Sequence, residues 1–171
     1  MAKNDIKLVT FDVRMSNTAA KSNEWVPVKP GTDRAVILAM CNVIMSEDLY
    51  KGEGEEFLKF VRTSSVGDEP VSAKIATLKA HLAEYTPEWA EGVSTVSADK
   101  IREIAREFAT TKPACLLTYR GAVAHHHGAD TERAAFMLAS ITGNVDNPGG
   151  RCVAVGASWK YPKGPKNKPK S

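Results

Sequence analysis

The sequence predicts an α/β fold, a three-layer αβα arrangement around a mostly parallel, Rossmann-like sheet. Three observations carry that expectation. Short apolar runs of strand length, at residues 8–11, 25–28 and 114–119, are interleaved with longer helical patterns. The first run ends at Asp12, and the second leads through Pro30-Gly31-Thr32 to Asp33, so each is followed by a carboxylate. A polar, helix-capable crossover separates these two runs, as parallel strands require. In open α/β sheets, ligands sit beyond the carboxyl ends of the strands, so the pattern outlines a nucleotide-binding edge. Asp12 is placed to take ribose hydroxyls. Asp33 is placed to accept two hydrogen bonds, from the N1–H and the exocyclic amine of guanine. Gly31 lets backbone approach the ligand.

Each element has a local reason. Residues 7–11 are short, β-rich and apolar, which predicts a buried strand. Residues 16–22 predict a short helix with Ser16 or Asn17 as cap. Residues 24–28 form the second strand, and Pro27 inside it indicates an edge position or an early end. Thr32 or Asp33 then caps a helix over 34–45. Its interior, Ala35-Val36-Ile37-Leu38-Ala39-Met40-Cys41, is apolar almost all round, so it is buried on most sides. Residues 47–63 read as a more exposed helix whose apolar face is Phe57, Leu58 and Val61, with Gly52 and Gly54 weakening its start.

Residues 64–70 are a loop by composition. A weak helical pattern follows over 73–85, through Ile75, Leu78 and Leu82. Pro87 opens a short helical turn at the position where proline is tolerated. Ser97 caps the clearest amphipathic helix, with Ile101, Ile104, Ala105 and Phe108 on one face and Asp99 in the first turn. Lys112-Pro113 stops it. Residues 114–119 are a third buried strand, and 120–129 a polar loop bounded by glycines. Asp130 caps a helix running to about Thr142, with Gly143 as its stop. Residues 147–150 are a turn, and 152–155 a last strand. Met40, Met45 and Met137 are core. The domain is expected to span 1–157. From Ser158 onward Lys, Pro, Gly and Asn dominate, which predicts a disordered basic tail over 158–171.

The 171 residues suffice for one domain with its own core. Hydrophobic and charged contents of 43% and 25% are globular values. The net charge of +3 includes five lysines in residues 160–171, and without them the remainder carries −2. The body is not basic, which argues against a nucleic-acid partner. Cys41, Cys115 and Cys152 are far apart and show no CxxC spacing, so they read as core residues rather than metal ligands or disulfides. No run reaches the roughly 18 apolar residues of a membrane span, so no membrane contact is expected. No secretory signal precedes the first strand, and there is no GxxxxGK[ST] loop.

The stretch FDVRMSNTAAKSNEWVPVKPGTDRAVILAM resembles the molybdopterin oxidoreductase (DMSO reductase) family. The family carries a strand-end DPR-type turn, a TA..AD.W run and a PGTD.A..LAM box. Here Val13 replaces the usual proline, and Asn23-Glu24-Trp25 stands where Ala-Asp-Trp is common. YTPEWAEGVSTVSADKIREIAREFA, LLTYRGAVAHHHG and LASITGNVDNPGG resemble further family stretches, so about residues 6–156 align. The nearest-looking members are respiratory reductases of polysulfide, thiosulfate, tetrathionate or arsenate. The resemblance implies that this segment holds the guanosine end of a molybdopterin guanine dinucleotide, the molybdenum cofactor. Asp12, Arg14 and Ser16 would serve it from the first strand end, and Gly31, Thr32 and Asp33 from the second. Arg120, Gly121 and His125 would cover the same dinucleotide, Arg120 facing pyrophosphate or pterin through its planar fork of donors.

The family's iron–sulfur segment, its ligand to molybdenum and its C-terminal barrel-like domain are not visible in these residues. The resemblance therefore implies an internal piece of a catalytic subunit, inactive by itself. Its partners would be the remainder of that subunit or electron-transfer subunits. Exposed apolar faces also favour self-association. The alternatives are a non-catalytic module for a guanine nucleotide or a partner protein, and an inactive truncated fragment. The chain as it stands reads as cytoplasmic, although the resembled family is often exported to the periplasm, so localisation is left open. His125-His126-His127 cannot all face one ion, and they read as loop histidines without a metal. The family often has an asparagine near His127, a further departure.

Overall fold

The computed structural model describes residues 6–61 and 69–152. Two strands, β1 (Val9–Asp12) and β2 (Glu24–Pro27), pair in parallel with Val9 opposite Glu24 and Asp12 opposite Pro27. A single 3-10 turn, Ala19–Lys21, lies in the crossover where a short helix is expected. Asn23 fixes the register from its side chain: its Oδ1 accepts the Leu8 N–H at 2.8 Å. The strand ends where Pro27 removes a ladder donor.

Helix α1 (Asp33–Ser46) is the centre of the molecule. Its sequence is apolar all round, and it is enclosed by α3 (Val71–Leu82), α4 (Pro87–Ser94), α5 (Ala98–Thr110) and α7 (Gly128–Ile141). Cys41, Ile44, Met45, Leu82, Ile101, Leu138 and Ile141 are fully buried around it. Each large apolar side chain so buried contributes roughly 1.5–3 kcal/mol, which is why α1 needs no strong cap. Helix α5 buries Ile101, Ile104 and Ala105 on α1, and the Ser97 hydroxyl accepts the Lys100 N–H at 3.3 Å, as its sequence implies. Thr86 does the same for α4, accepting from Trp89 N at 3.2 Å.

Helix α2 (Glu53–Phe60) begins six residues later than the sequence pattern suggests. The chain first turns through Asp48 at φ 60° and Gly52 at φ 95°, conformations no helix contains. Gly54 then packs so closely on α7 that a Cβ there would lie 2.0 Å from the Ile141 carbonyl oxygen.

Four expectations need correction. Residues 114–119 belong to no strand among the described residues, and Leu117 and Tyr119 are exposed rather than buried. Among the described residues the sheet is therefore parallel, as expected, but has two strands only, too few to form the three-layer Rossmann-like arrangement. Residues 120–123 form one helical turn, α6 (Arg120–Val123), where a loop is expected. Helix α7 starts at Gly128, so Asp130 lies inside its first turn rather than at the cap. Cys41 is buried, but Cys115 and Cys152 are exposed. The expected loop at 64–70, the last strand at 152–155 and the tail from 158 fall largely or wholly outside the described residues.

Candidate functional site

The carboxyl ends of β1 and β2 and the start of α1 gather most of the residues singled out by the sequence. The Trp25 indole N–H donates to the Asp12 carbonyl at 3.0 Å and fastens the end of β1 to its neighbour. The Asp12 carboxylate is half-buried, and the Ser16 hydroxyl, then the backbone N–H groups of Arg14 and Val13, hold it below the ordinary aspartate range. It is therefore anionic at neutral pH. Ser16 also accepts the Ala19 N–H at 3.3 Å, opening the 3-10 turn. Arg14 is exposed, and its guanidinium donates to no protein acceptor among the described residues.

The turn after β2 is built by Thr32. Its hydroxyl donates to the Lys29 carbonyl at 2.7 Å, and its backbone N–H to the same oxygen at 3.2 Å. Thr32 occupies the cap position of α1 without a capping side-chain bond, so neither expected cap is used. Asp33 is the first helical residue, half-buried, and its carboxylate has no hydrogen-bond or ion-pair partner among the described residues. Its location favours a negative charge through the helix dipole. Gly31 has φ 76°, which only glycine adopts cheaply.

The second loop comes to meet this turn. A Cβ on Gly31 would lie 3.6 Å from His125 Nδ1, so the imidazole rests against the glycine backbone. Residues far apart in sequence, Gly31 and His125, are thereby brought together. Arg120 and Gly121 are exposed on α6, and nothing lies within 4 Å of where a Gly121 Cβ would sit. Among the described residues the Arg120 side chain makes no hydrogen bond or ion pair. The three histidines do not converge on one point: His125 lies on Gly31, while His126 and His127 pack edge-to-face at 4.1 Å between ring centroids and His127 Nδ1 is 3.4 Å from Asp130.

The sequence reading missed an adjacent concavity of about 380 Å³ between α1, α3, α4 and α7. Arg34 and Arg133 bracket Asp130 across it, at 3.6 and 3.1 Å. Its wall is an edge-to-face series in which Tyr85 stands 5.6 Å from His81 and 5.2 Å from Trp89 between ring centroids. The signal was present as aromatic rings at every fourth position, 81, 85 and 89, although a turn interrupts the helix between them.

A parallel strand pair with an ionised aspartate at its carboxyl end and a glycine turn beyond it has the layout of a ligand-binding α/β domain. Comparison with known proteins defines which one. The family profile described as molybdopterin oxidoreductase matches residues 1–156, and the chain belongs to that family. It is 33% identical to the molybdopterin-containing subunit of the arsenate respiratory reductase of Chrysiogenes arsenatis, over 92% of this chain and 20% of that one. It is 34% identical to the dimethyl sulfoxide reductase of Escherichia coli, over 94% of this chain and 20% of the relative. The corresponding values for the thiosulfate reductase molybdopterin-containing subunit of Salmonella typhimurium are 34%, 84% and 17%. Acetylene hydratase from Pelobacter acetylenicus superposes with a TM-score of 0.66 at 28% identity, over 80% of this chain and 17% of its own. The chain thus spans about a fifth of the length of these relatives. Among the described residues no helix is long and apolar enough to cross a membrane.

Proposed function

We infer that this chain is a cofactor-holding segment of a molybdopterin oxidoreductase catalytic subunit, and that it binds the guanosine end of a molybdopterin guanine dinucleotide. The observation that carries the reading is the Asp33 carboxylate, half-buried and without a partner among the described residues, beside the Gly31–His125 contact. A partly exposed carboxylate that no protein donor occupies is open to the paired N–H groups of a guanine edge, which it accepts in the bidentate manner. Asp12, held ionised at the neighbouring strand end, accepts from ribose hydroxyls. Arg14 and Arg120 are exposed arginines near the ends of β1 and of the 114–119 segment, suited to a pyrophosphate.

When bound, the group supplies the metal and the electron-accepting pterins. The residues here hold its nucleotide end in place, and the chain alone is expected to show no turnover with reduced viologen and an oxyanion. β1 and β2 would then be the outer strands of a larger three-layer sheet, with any iron–sulfur cluster elsewhere in the subunit. Calorimetric titration of GDP, with ADP as control, tests the reading. Guanine preference is expected, and equal binding of both nucleotides refutes it. Binding of neither shows that this segment does not hold the guanosine end by itself.

A further inference from the structure

The two loops that meet at Gly31 and His125 each open a helix. The turn over 29–32 leads into α1, and residues 124–127 lead into α7. The second loop is hung tightly from its helix. His127 has φ 62°, a conformation uncommon outside glycine. Its carbonyl accepts the Asp130 N–H at 3.0 Å and the Thr131 N–H at 3.1 Å. The His125 carbonyl accepts the Gly128 N–H at 3.0 Å. A Cβ on Gly128 would run into the Val123 carbonyl, so the turn has no slack.

Asp130 joins this loop to α1. Its Oδ1 accepts from Arg133 Nη1 at 3.1 Å, on its own helix. Its Oδ2 lies 3.4 Å from His127 Nδ1 in the loop and 3.6 Å from Arg34 Nη1 on α1. Arg34 follows Asp33 directly, so the ion pair ties the first turn of α1 to the first turn of α7. Among the described residues no other ion pair or side-chain hydrogen bond links residues 29–34 to residues 120–133. We propose that Asp130 is a positioning residue for the strand-end site, holding the His125 loop down on the Gly31 turn through Arg34.

The cofactor role of these loops rests on the reading given above, whereas the latch itself does not. Helices α1 and α7 are fixed to each other by their packed faces, so the pair acts on the loop that precedes α7. Arg34 and Asp130 are 41% and 42% exposed, and exposed pairs contribute little to global stability. Their effect therefore falls on the local contact. Arg34 is turned to Asp130, which leaves the neighbouring Asp33 carboxylate open to a ligand.

The test is nuclear magnetic resonance of the 171-residue chain as wild type, Arg34→Gln, Asp130→Asn, the double variant and Arg133→Gln. The readout is the nuclear Overhauser effect between the His125 ring and the Gly31 α-protons, with thermal melts as the check on folding. The wild type should show the effect. Arg34→Gln and Asp130→Asn should each weaken it with little change in melting, and the double variant should be no weaker than either, because both remove one interaction. Arg133→Gln removes the Asp130 contact that does not reach α1 and should leave the effect intact. An effect missing from the wild type, retained in Arg34→Gln and Asp130→Asn, or lost equally in Arg133→Gln overturns the proposal. Titration of GDP adds the ligand arm: Arg34→Gln and Asp130→Asn should bind roughly twofold to fivefold more weakly. Equal GDP affinity in variants that have lost the contact overturns the positioning role. A wild type that binds no GDP counts against the cofactor reading for this segment, and the Overhauser effect still decides the latch.

Discussion

Replacing Gly54 by alanine tests how closely α2 and α7 pack. An added Cβ would lie 2.0 Å from the Ile141 carbonyl oxygen and 2.7 Å from its carbon, and both are backbone atoms that cannot swing away. Alanine gains about 0.8–1 kcal/mol over glycine in a helix interior. Overpacking costs about 1–3 kcal/mol or more, and backbone against backbone belongs at the upper end. The net expectation is a loss of about 1–2 kcal/mol. Gly92 in α4 is the control, because nothing lies within 4 Å of its Cβ position. Gly92→Ala should stabilise by about 0.4–1 kcal/mol through backbone entropy. For a chain of this size each kcal/mol moves the melting temperature by roughly 2–4 °C, so the two variants should shift in opposite directions. Thermal melts followed by circular dichroism decide it. If Gly54→Ala melts as high as Gly92→Ala, the α2–α7 contact is looser than described.

Other expectations follow from single sites. Asp48 is held down to about 2, first by Lys79 and then by Lys51, from an ordinary value of 3.8. A depressed carboxylate stabilises above its unfolded value and loses that contribution as pH falls through its folded one. The melting difference between wild type and Asp48→Asn should thus be steady from pH 5 to 7 and vanish between about pH 4 and 2. Asparagine tolerates the φ of 60° at this site, so a difference that survives at pH 2 would indicate another cause. Burial pushes the Cys41 thiol up, whereas Cys115 and Cys152 are exposed. A thiol reagent should titrate two cysteines in the native chain and three in denaturant, and three in the native chain would mean the core around α1 opens.

The legible parts of this fold were those whose causes are local. Helix α1 was readable because its apolar residues run all round, and α5 because its apolar face and Ser97 cap agree. The strand end at Asp12 and the helix start at Asp33 were readable from the punctuation after each apolar run. Residues 114–119 were not, because a strand is completed by partners that its own composition does not name, and none is found among the described residues. The Gly31–His125 contact joins two loops through tertiary packing, which no local pattern specifies. Capping by Thr32 was misjudged because its hydroxyl finds the Lys29 carbonyl two positions before Gly31. The late start of α2 depends on two left-handed residues, Asp48 and Gly52, whose conformations no periodicity reveals.

The central claim is that Asp33 reads guanine, and one measurement addresses it most directly. Asparagine is close to aspartate in shape, so Asp33→Asn should cost the fold only the dipole contribution, about 0.3–1 kcal/mol. In the proposed site the amide NH₂ would oppose a guanine N–H, and the unpaired buried donor costs roughly 1–3 kcal/mol. That corresponds to about a tenfold to hundredfold loss of affinity. Calorimetric titration of GDP and ADP into wild type and Asp33→Asn, with melting curves of both, is the experiment. The account predicts guanine preference in the wild type, its loss in the variant, and little change in melting. Wild type and variant binding both nucleotides alike would contradict it and leave Asp33 as a residue of the first helical turn only.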